Sequence, residues 1–206
     1  MPTYPLNFPS VGIVDSSFRL VRVVSESQSI FTGASQVYQH QGEWWEGEVT
    51  FRTMRRADAA LVQSFLAQLR GKYGTFLYGD PDALALGLLG AGGTITVNGA
   101  GQTGNSLNVD GMAPSTTILK AGDYFQIGTG SAAKLYMCTE NLVSNGSGAG
   151  TLNFEPRLKV SPADNASVIT ASPKGVFRLS ENIAEWRANQ TNLYQVTVAF
   201  REAIDI

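Results

Sequence analysis

Gly99-Ala-Gly-Gln-Thr-Gly104 matches a dinucleotide-binding fingerprint letter for letter. In that fingerprint the glycines let the backbone approach a pyrophosphate, and a helix opening directly afterwards points its N–H groups at the phosphate charge. Residues 94–98 before the run are strand-like, as the fingerprint requires. The next residues, Asn105-Ser-Leu-Asn-Val-Asp-Gly111, read as another strand and turn. The run is therefore a glycine-rich hairpin loop and not a cofactor cradle. His40 is the only histidine. One imidazole without a second His or a Cys cannot build a zinc site, and no nucleophile elbow accompanies it, so His40 reads as structural or solvent-facing. Asp80 and Asp82 flank Pro81 and have the residue types of an acid–base pair or a calcium corner. The calcium-loop spacing is missing, and their oxygens suit the capping of a turn.

Other reactive types are equally isolated. Asn145, Asn165 and Asn189 each begin a glycosylation sequon, a pattern frequent by chance and without consequence unless the chain is secreted. Trp44, Trp45 and Trp186 could stack on sugar rings, but adjacent tryptophans on a strand place one ring on each face, so at least one belongs to the core. Cys138 is the single cysteine, which excludes a disulfide within the chain and reads as a small apolar residue of a strand. Arg52, Arg55 and Arg56 form a short basic run, read as a solvated strand end. No catalytic, cofactor-binding or metal-ligating set emerges, and the expectation is a protein that is not an enzyme.

Composition narrows the class further. Of the 206 residues 43% are hydrophobic, enough for a real core. Only 16% are charged, against about 25% in an average domain, and 22 are glycine. That combination predicts a β-rich chain with many turns and with surface that neighbours cover. A net charge of −2 provides no basic field for nucleic acid or an anionic membrane. Met1-Pro-Thr-Tyr-Pro-Leu-Asn-Phe-Pro9 lacks the basic and apolar regions of a secretory signal, so synthesis in a cytoplasm is expected. The longest apolar run, Ala83-Leu-Ala-Leu-Gly-Leu-Leu89, is too short to span a membrane.

The elements that position these residues are best signalled between Glu43 and Asp82. Trp45, Gly47, Val49 and Phe51 alternate with Trp44, Glu46, Glu48, Thr50 and Arg52, the period of a half-buried strand. A helix is predicted from about Asp58, whose carboxylate suits the first turn, with one apolar stripe of Leu61, Val62, Phe65, Leu66 and Leu69. Arg70 falls in its last turn and Gly71 where a left-handed residue is wanted. A short strand over residues 75–78 ends at Gly79-Asp-Pro81. Beyond it lie short strands at 94–98, 106–109, 124–128, 134–140, 151–155 and 168–171. Turn signals such as Asn98-Gly99, Asp110-Gly111 and Asn145-Gly-Ser-Gly148 separate them, and most of the glycines fall in this stretch. Strands are also predicted at 18–24, 176–179 and 193–201. Tyr194, Val196, Val198 and Phe200 alternate with polar residues, and a lone amphipathic strand must join an existing sheet. The predicted fold class is mainly β. A discontinuous domain, 1–83 with 172–206, is a β-sandwich or split barrel with one flanking helix, and residues 84–171 form an inserted small β-barrel.

The run from Arg56 through Gln63-Ser-Phe-Leu-Ala-Gln-Leu-Arg-Gly-Lys-Tyr-Gly-Thr-Phe76 to Tyr78-Gly-Asp-Pro81 resembles the distal tail proteins of long-tailed bacteriophages. So do Gly104-Asn-Ser-Leu-Asn-Val-Asp-Gly111, Leu119-Lys-Ala-Gly-Asp-Tyr-Phe-Gln-Ile-Gly128, Asn153-Phe-Glu-Pro156 and Gly175-Val-Phe-Arg-Leu-Ser180. The resemblance spans most of the chain and is carried by packing motifs, not catalytic ones. It implies a fold related to tail-tube proteins and a homo-oligomeric ring, usually of six copies. That ring joins the tail tube to the tail-tip hub or baseplate in the virion, supporting tail assembly and host attachment, with the inserted domain at the periphery. In some relatives that domain resembles carbohydrate-binding modules. Two alternatives come from other classes. One is a host-glycan-binding module reading sugar through Tyr124, Tyr136 or Phe154. The other is a tail-associated cell-wall hydrolase, which needs a carboxylate pair in a cleft.

Overall fold

The computed structural model describes residues 2–83, 94–183, 185–188 and 193–204. Most of the apolar run 83–89, the first ten residues of the expected insert and the Asn189 sequon lie outside the described residues. In chain order, β1 (Leu6–Asn7), β2 (Ile13–Gln28) and β3 (Ser35–Phe51) precede the helix α1 (Arg56–Leu69) and β4 (Phe76–Tyr78). The middle of the chain supplies β5 (Thr96–Val97), β6 (Ser106–Asp110), β7 (Thr117–Leu119), β8 (Tyr124–Ile127), β9 (Lys134–Cys138), β10 (Leu142–Val143), β11 (Gly150–Glu155) and β12 (Val168–Ile169). Then come β13 (Gly175–Leu179), β14 (Arg187–Ala188), β15 (Tyr194–Gln195) and β16 (Thr197–Glu202). The fold is mainly β, with 44% strand, 11% helical residues and one α-helix among the described residues.

Both ends of the chain build the first sheet, in the order β1-β4-β13-β16-β3-β2. β1 runs parallel to β4 and every other pair is antiparallel. β16 lies inside the sheet, with Thr197 opposite Thr50 and Arg201 opposite Glu46. Along β3, Trp45, Gly47, Val49 and Phe51 are buried while Glu48 on the other face is exposed. Gly47 has no room for a side chain, since a Cβ would run into the Ser17 carbonyl and the Phe200 ring. Against that wall stands an aromatic cluster. Phe8 and Tyr78 lie 4.5 Å apart, Phe177 and Phe200 5.0 Å, and Phe65 of α1 meets Phe76 edge-on at 5.5 Å.

The helix differs from its prediction in three details. It begins at Arg56, two residues early. Asp58 accepts from the Arg52 guanidinium at 2.8 Å, and the N-cap, Arg55, makes no side-chain cap bond. Its buried residues are Ala59, Val62, Phe65, Leu66 and Leu69, whereas Leu61 is 60% exposed. At roughly 100° per residue, Leu61 sits about a quarter turn from the middle of that stripe, and only one side of the helix touches the sheet. At the other end Arg70 itself takes the left-handed conformation (φ 53°), with Gly71 following at φ 68°.

The second sheet takes the order β12-β8-β9-β11-β6-β5. Its ends meet: Thr96 bridges Ser167, Val97 donates to the Ala166 carbonyl at 2.9 Å, and Val168 to that of Ile95 at 2.9 Å. The sheet closes into a small barrel around Leu107, Val109, Phe125, Tyr136, Leu152 and Phe154, with the β7–β10 ribbon beside it. Barrel and first sheet are joined where β4 and β13 lie side by side, Tyr78 opposite Gly175. At that crossing a Cβ on Gly79 would overlap the Pro173 carbonyl.

Candidate assembly surfaces

The residues singled out for chemistry are spread over the molecule and bonded locally. The Gly99–Gly104 loop is followed by β6, not a helix. Gln102 fills it, donating to the Asn98 and Gly99 carbonyls at 2.9 Å and accepting from the Asn108 N–H at 2.7 Å. Asp80 accepts the Asp82 N–H at 3.0 Å, closing a turn. Asn145 likewise gathers the N–H groups of Ser147 and Ala149. His40 is exposed and meets Ser25 across the hairpin at 2.8 Å. Cys138 is buried, and burial pushes its thiol up to about 12. Among the described residues no group of three or more His, Cys, Asp and Glu could hold a metal, and no helix is long and apolar enough to cross a membrane.

The aromatic residues proposed to read sugar do not form a surface. Tyr136 and Phe154 are 1% exposed and stack with Phe125 inside the barrel. Tyr124 is half-buried against Phe18 and Trp45 of the first sheet. Phe154 alternates with polar neighbours along β11 and Tyr136 lies in an apolar run of β9; both turn inward, and in a barrel this small the inward face is the core. Of the tryptophans, Trp45 is buried, Trp44 lies on the opposite face under the Arg201 guanidinium at 4.4 Å, and Trp186 is 44% exposed.

Sheet and barrel meet through a junction that sequence reasoning missed. Leu135 of β9 belongs to the first sheet's core, and the Trp45 indole N–H donates to its carbonyl at 2.9 Å. Around this contact three charged side chains, Glu43, Lys134 and Glu202, are buried, and a fourth, Lys159, is half-buried. Glu202 accepts the Trp45 N–H at 3.0 Å and faces Lys159 at 3.8 Å. Lys134 donates to the Ala203 carbonyl at 3.0 Å. Glu43 accepts from the Arg157 N–H at 3.2 Å, and its own carbonyl receives Lys159. Burial raises the Glu202 carboxyl pKa and lowers that of the Lys159 ammonium, each partly offset by the other's charge. Desolvation therefore outweighs the attraction between them. Such a pair contributes little net stability, but the loss of one partner strands a buried charge. At the rim Arg22 pairs with Glu155 at 3.5 Å. Burial, followed by the nearby Glu43 carboxylate, raises the Glu155 pKa. At this junction Glu43 is buried and Glu155 half-buried.

Two further surfaces lie on the first sheet. Its outer face carries Arg178, Arg201, Glu46 and Arg19 directly opposite one another across four strands. They line an open depression of about 490 Å³ with Lys72. The other surface is the far half of the β2–β3 hairpin. These strands run 16 and 17 residues, about three times the usual length. Past Arg22 and Glu43 they pair only with each other, Val24 opposite Gln39 through Gln28 opposite Ser35. From residue 22 to 41 every side chain but the half-buried Ser29 is exposed. Ile30 and Phe31 at the tip are 90% and 92% exposed. No protein-family model matches the chain, and no curated protein sequence matches it.

Proposed function

We propose that this chain is a structural ring protein of the distal end of a bacteriophage tail. In this reading the two-ended sheet and α1 form the ring body and the barrel sits outside it. The observation that carries the reading is the crossing at Tyr78 and Gly175. Because the chain leaves and re-enters on adjacent strands, the barrel is placed beside the sheet without interrupting it, the arrangement that the sequence resemblance implies for this family. Two observations support it. The described residues that the sequence singles out for chemistry lie apart from one another, Asp80 in its turn and His40 on the arm. The sheet also offers two surfaces outside its core, the charged row lining a depression and the exposed hairpin arm. The glycan-reading alternative loses its aromatic surface, because Tyr136 and Phe154 are core. The ring joins tail tube to tail-tip hub and is made in the host cytoplasm before it enters the virion. Antibody against the barrel, applied to intact particles and imaged by electron microscopy, tests this. Label confined to the distal tail tip is expected. Label along the shaft, or particles lacking the chain, overturns the proposal.

A further inference from the structure

We infer that the hairpin arm, residues 23–42, is a strand-pairing element that joins edge to edge with the arm of a second copy of this chain. The inference deepens the ring reading but does not depend on where in a particle a ring would sit. A two-stranded hairpin standing alone in water is at best marginally stable. At about 3.3 Å per residue, this one reaches roughly 20 Å beyond the last core contact. Natural exposed edges are guarded by lysine, proline or inward-pointing charge. This arm has none of these: Glu26 is its one charged residue, and the rest is Ser, Gln, Val, Tyr and similar uncharged types. The apolar residues are shared between its faces. Val24 and Val37 lie on one and Tyr38 on the other, with Ile30 and Phe31 at the tip. Neither face is a core side, and among the described residues both long edges are open. β2 pairs only with β3, and β16 covers β3 only across Glu46–Thr50.

These features select an identical copy over an unlike partner. An unlike strand needs one open edge, whereas this arm leaves one on each strand. Placing the β3 edge of one copy against the β2 edge of the next continues the antiparallel alternation, because β2 and β3 already run in opposite directions. The contact is therefore heterologous, each copy giving one edge and receiving another, which is the geometry that closes into rings. Identical arms approach with little charge penalty, because a single Glu26 per copy is the only like charge brought together. Backbone pairing supplies the attraction, as in other strand-addition interfaces.

The test uses the full chain and a variant with Val24→Lys, Gln28→Lys and Gln36→Lys, which restores the guard that edges ordinarily carry. Native mass spectrometry across a concentration series reads assembly, and thermal unfolding reads the fold. Expected is a wild-type chain in multiples of the 22.0 kDa monomer, and a variant that is monomeric with an unchanged unfolding midpoint. Hydrogen exchange of the wild type adds a readout free of substitutions: amides of residues 23–42 should become protected as the chain assembles. A variant that assembles like the wild type overturns the arm inference and leaves the ring reading standing. A wild-type chain that stays monomeric at every concentration, or an assembly whose arm amides exchange freely, also overturns it. Label along the tail shaft in particles would instead fail the ring reading while leaving arm pairing intact.

Discussion

Proximal to Arg22 and Glu43 the β2–β3 hairpin is one wall of a packed core, and distal to them the same two strands stand bare. Pairing resumes beyond a bulge at the boundary, where the register passes from Arg22–Glu43 to Val24–Gln39, so strand pairing itself does not distinguish the halves. Their neighbours do. The proximal half has β16 alongside and the aromatic cluster beneath it, so its side chains divide into a buried set and a wet set. The distal half has neither, and its sequence shows no two-sided pattern. Strand structure and burial are thus separable: local pairing extends a strand well past the point where a core holds it.

The largest effect that tests this contrast belongs to the aromatic cluster beneath the proximal half, where β16 contributes Phe200. Phe200 is fully buried and packs edge-on against Phe18, Tyr78 and Phe177 at 5.4, 5.2 and 5.0 Å. Phe200→Ala is expected to cost about 3–5 kcal/mol by urea unfolding. A loss under ~1 kcal/mol would mean that the cluster does not hold the sheet. The junction comes next. Glu202→Ala strands Lys159 and removes the acceptor of the Trp45 N–H. With the pair as loose as 3.8 Å, a cost of about 3 kcal/mol is expected, at the lower end for breaking a buried pair. Replacing both partners together, Lys159→Met with Glu202→Leu, should cost less than Glu202→Ala alone. If the double variant is the worse of the two, the pair is a net source of stability.

Cys138 provides a pH test of the barrel. Its thiol is raised from 9.0 to about 12 by burial, so the folded state holds it neutral while an unfolded chain ionises at the ordinary value. The stability it contributes is complete below pH 9 and declines as pH climbs from there towards 12. Cys138→Ala should flatten that decline in unfolding measurements. At neutral pH the native thiol should resist maleimide until the barrel unfolds, and rapid labelling of folded protein would contradict its burial. Smallest are the effects at exposed apolar positions. Leu61→Ala on the outer side of α1 and Phe31→Ser at the arm tip should each shift monomer stability by no more than about 0.5 kcal/mol. A larger shift for Phe31→Ser would show that the arm folds back onto its own chain.

Legibility in the sequence divides along the same line. β3 from Trp45 to Phe51 is readable because a core on one side imposes period two. The α1 stripe is readable for the corresponding reason, and Leu61 misleads because an apolar residue at the border of a stripe satisfies the pattern without touching the sheet. Strands predicted at 18–24 and 43–52 stop where alternation stops. The arm beyond them is invisible, since uncharged polar residues exposed on both faces leave no periodic trace. The junction is hidden differently. Lys134, Lys159 and Glu202 are types that ordinarily face water, and their burial depends on residues up to 157 positions away, the separation of Trp45 from Glu202. Phe154 carries a clear alternation and Tyr136 sits in an apolar run, but pattern alone does not say whether an aromatic face meets solvent or the opposite wall of a barrel.

The position of β16 inside the first sheet sets an order of events during synthesis. The barrel draws its strands from Thr96 to Ile169, so all of its pairings can form once that stretch has left the ribosome. The first sheet cannot close then: β3 and β13 have no strand between them until Thr197–Glu202 is made. The nascent chain therefore carries a finished barrel beside an open, aromatic-lined half-sheet for the time needed to add about thirty residues, a few seconds at ordinary elongation rates. Joining residues so distant along the chain is also the slow kind of folding step. During that interval the facing edges of β3 and β13 are unpaired, and unpaired edges are where aggregation starts.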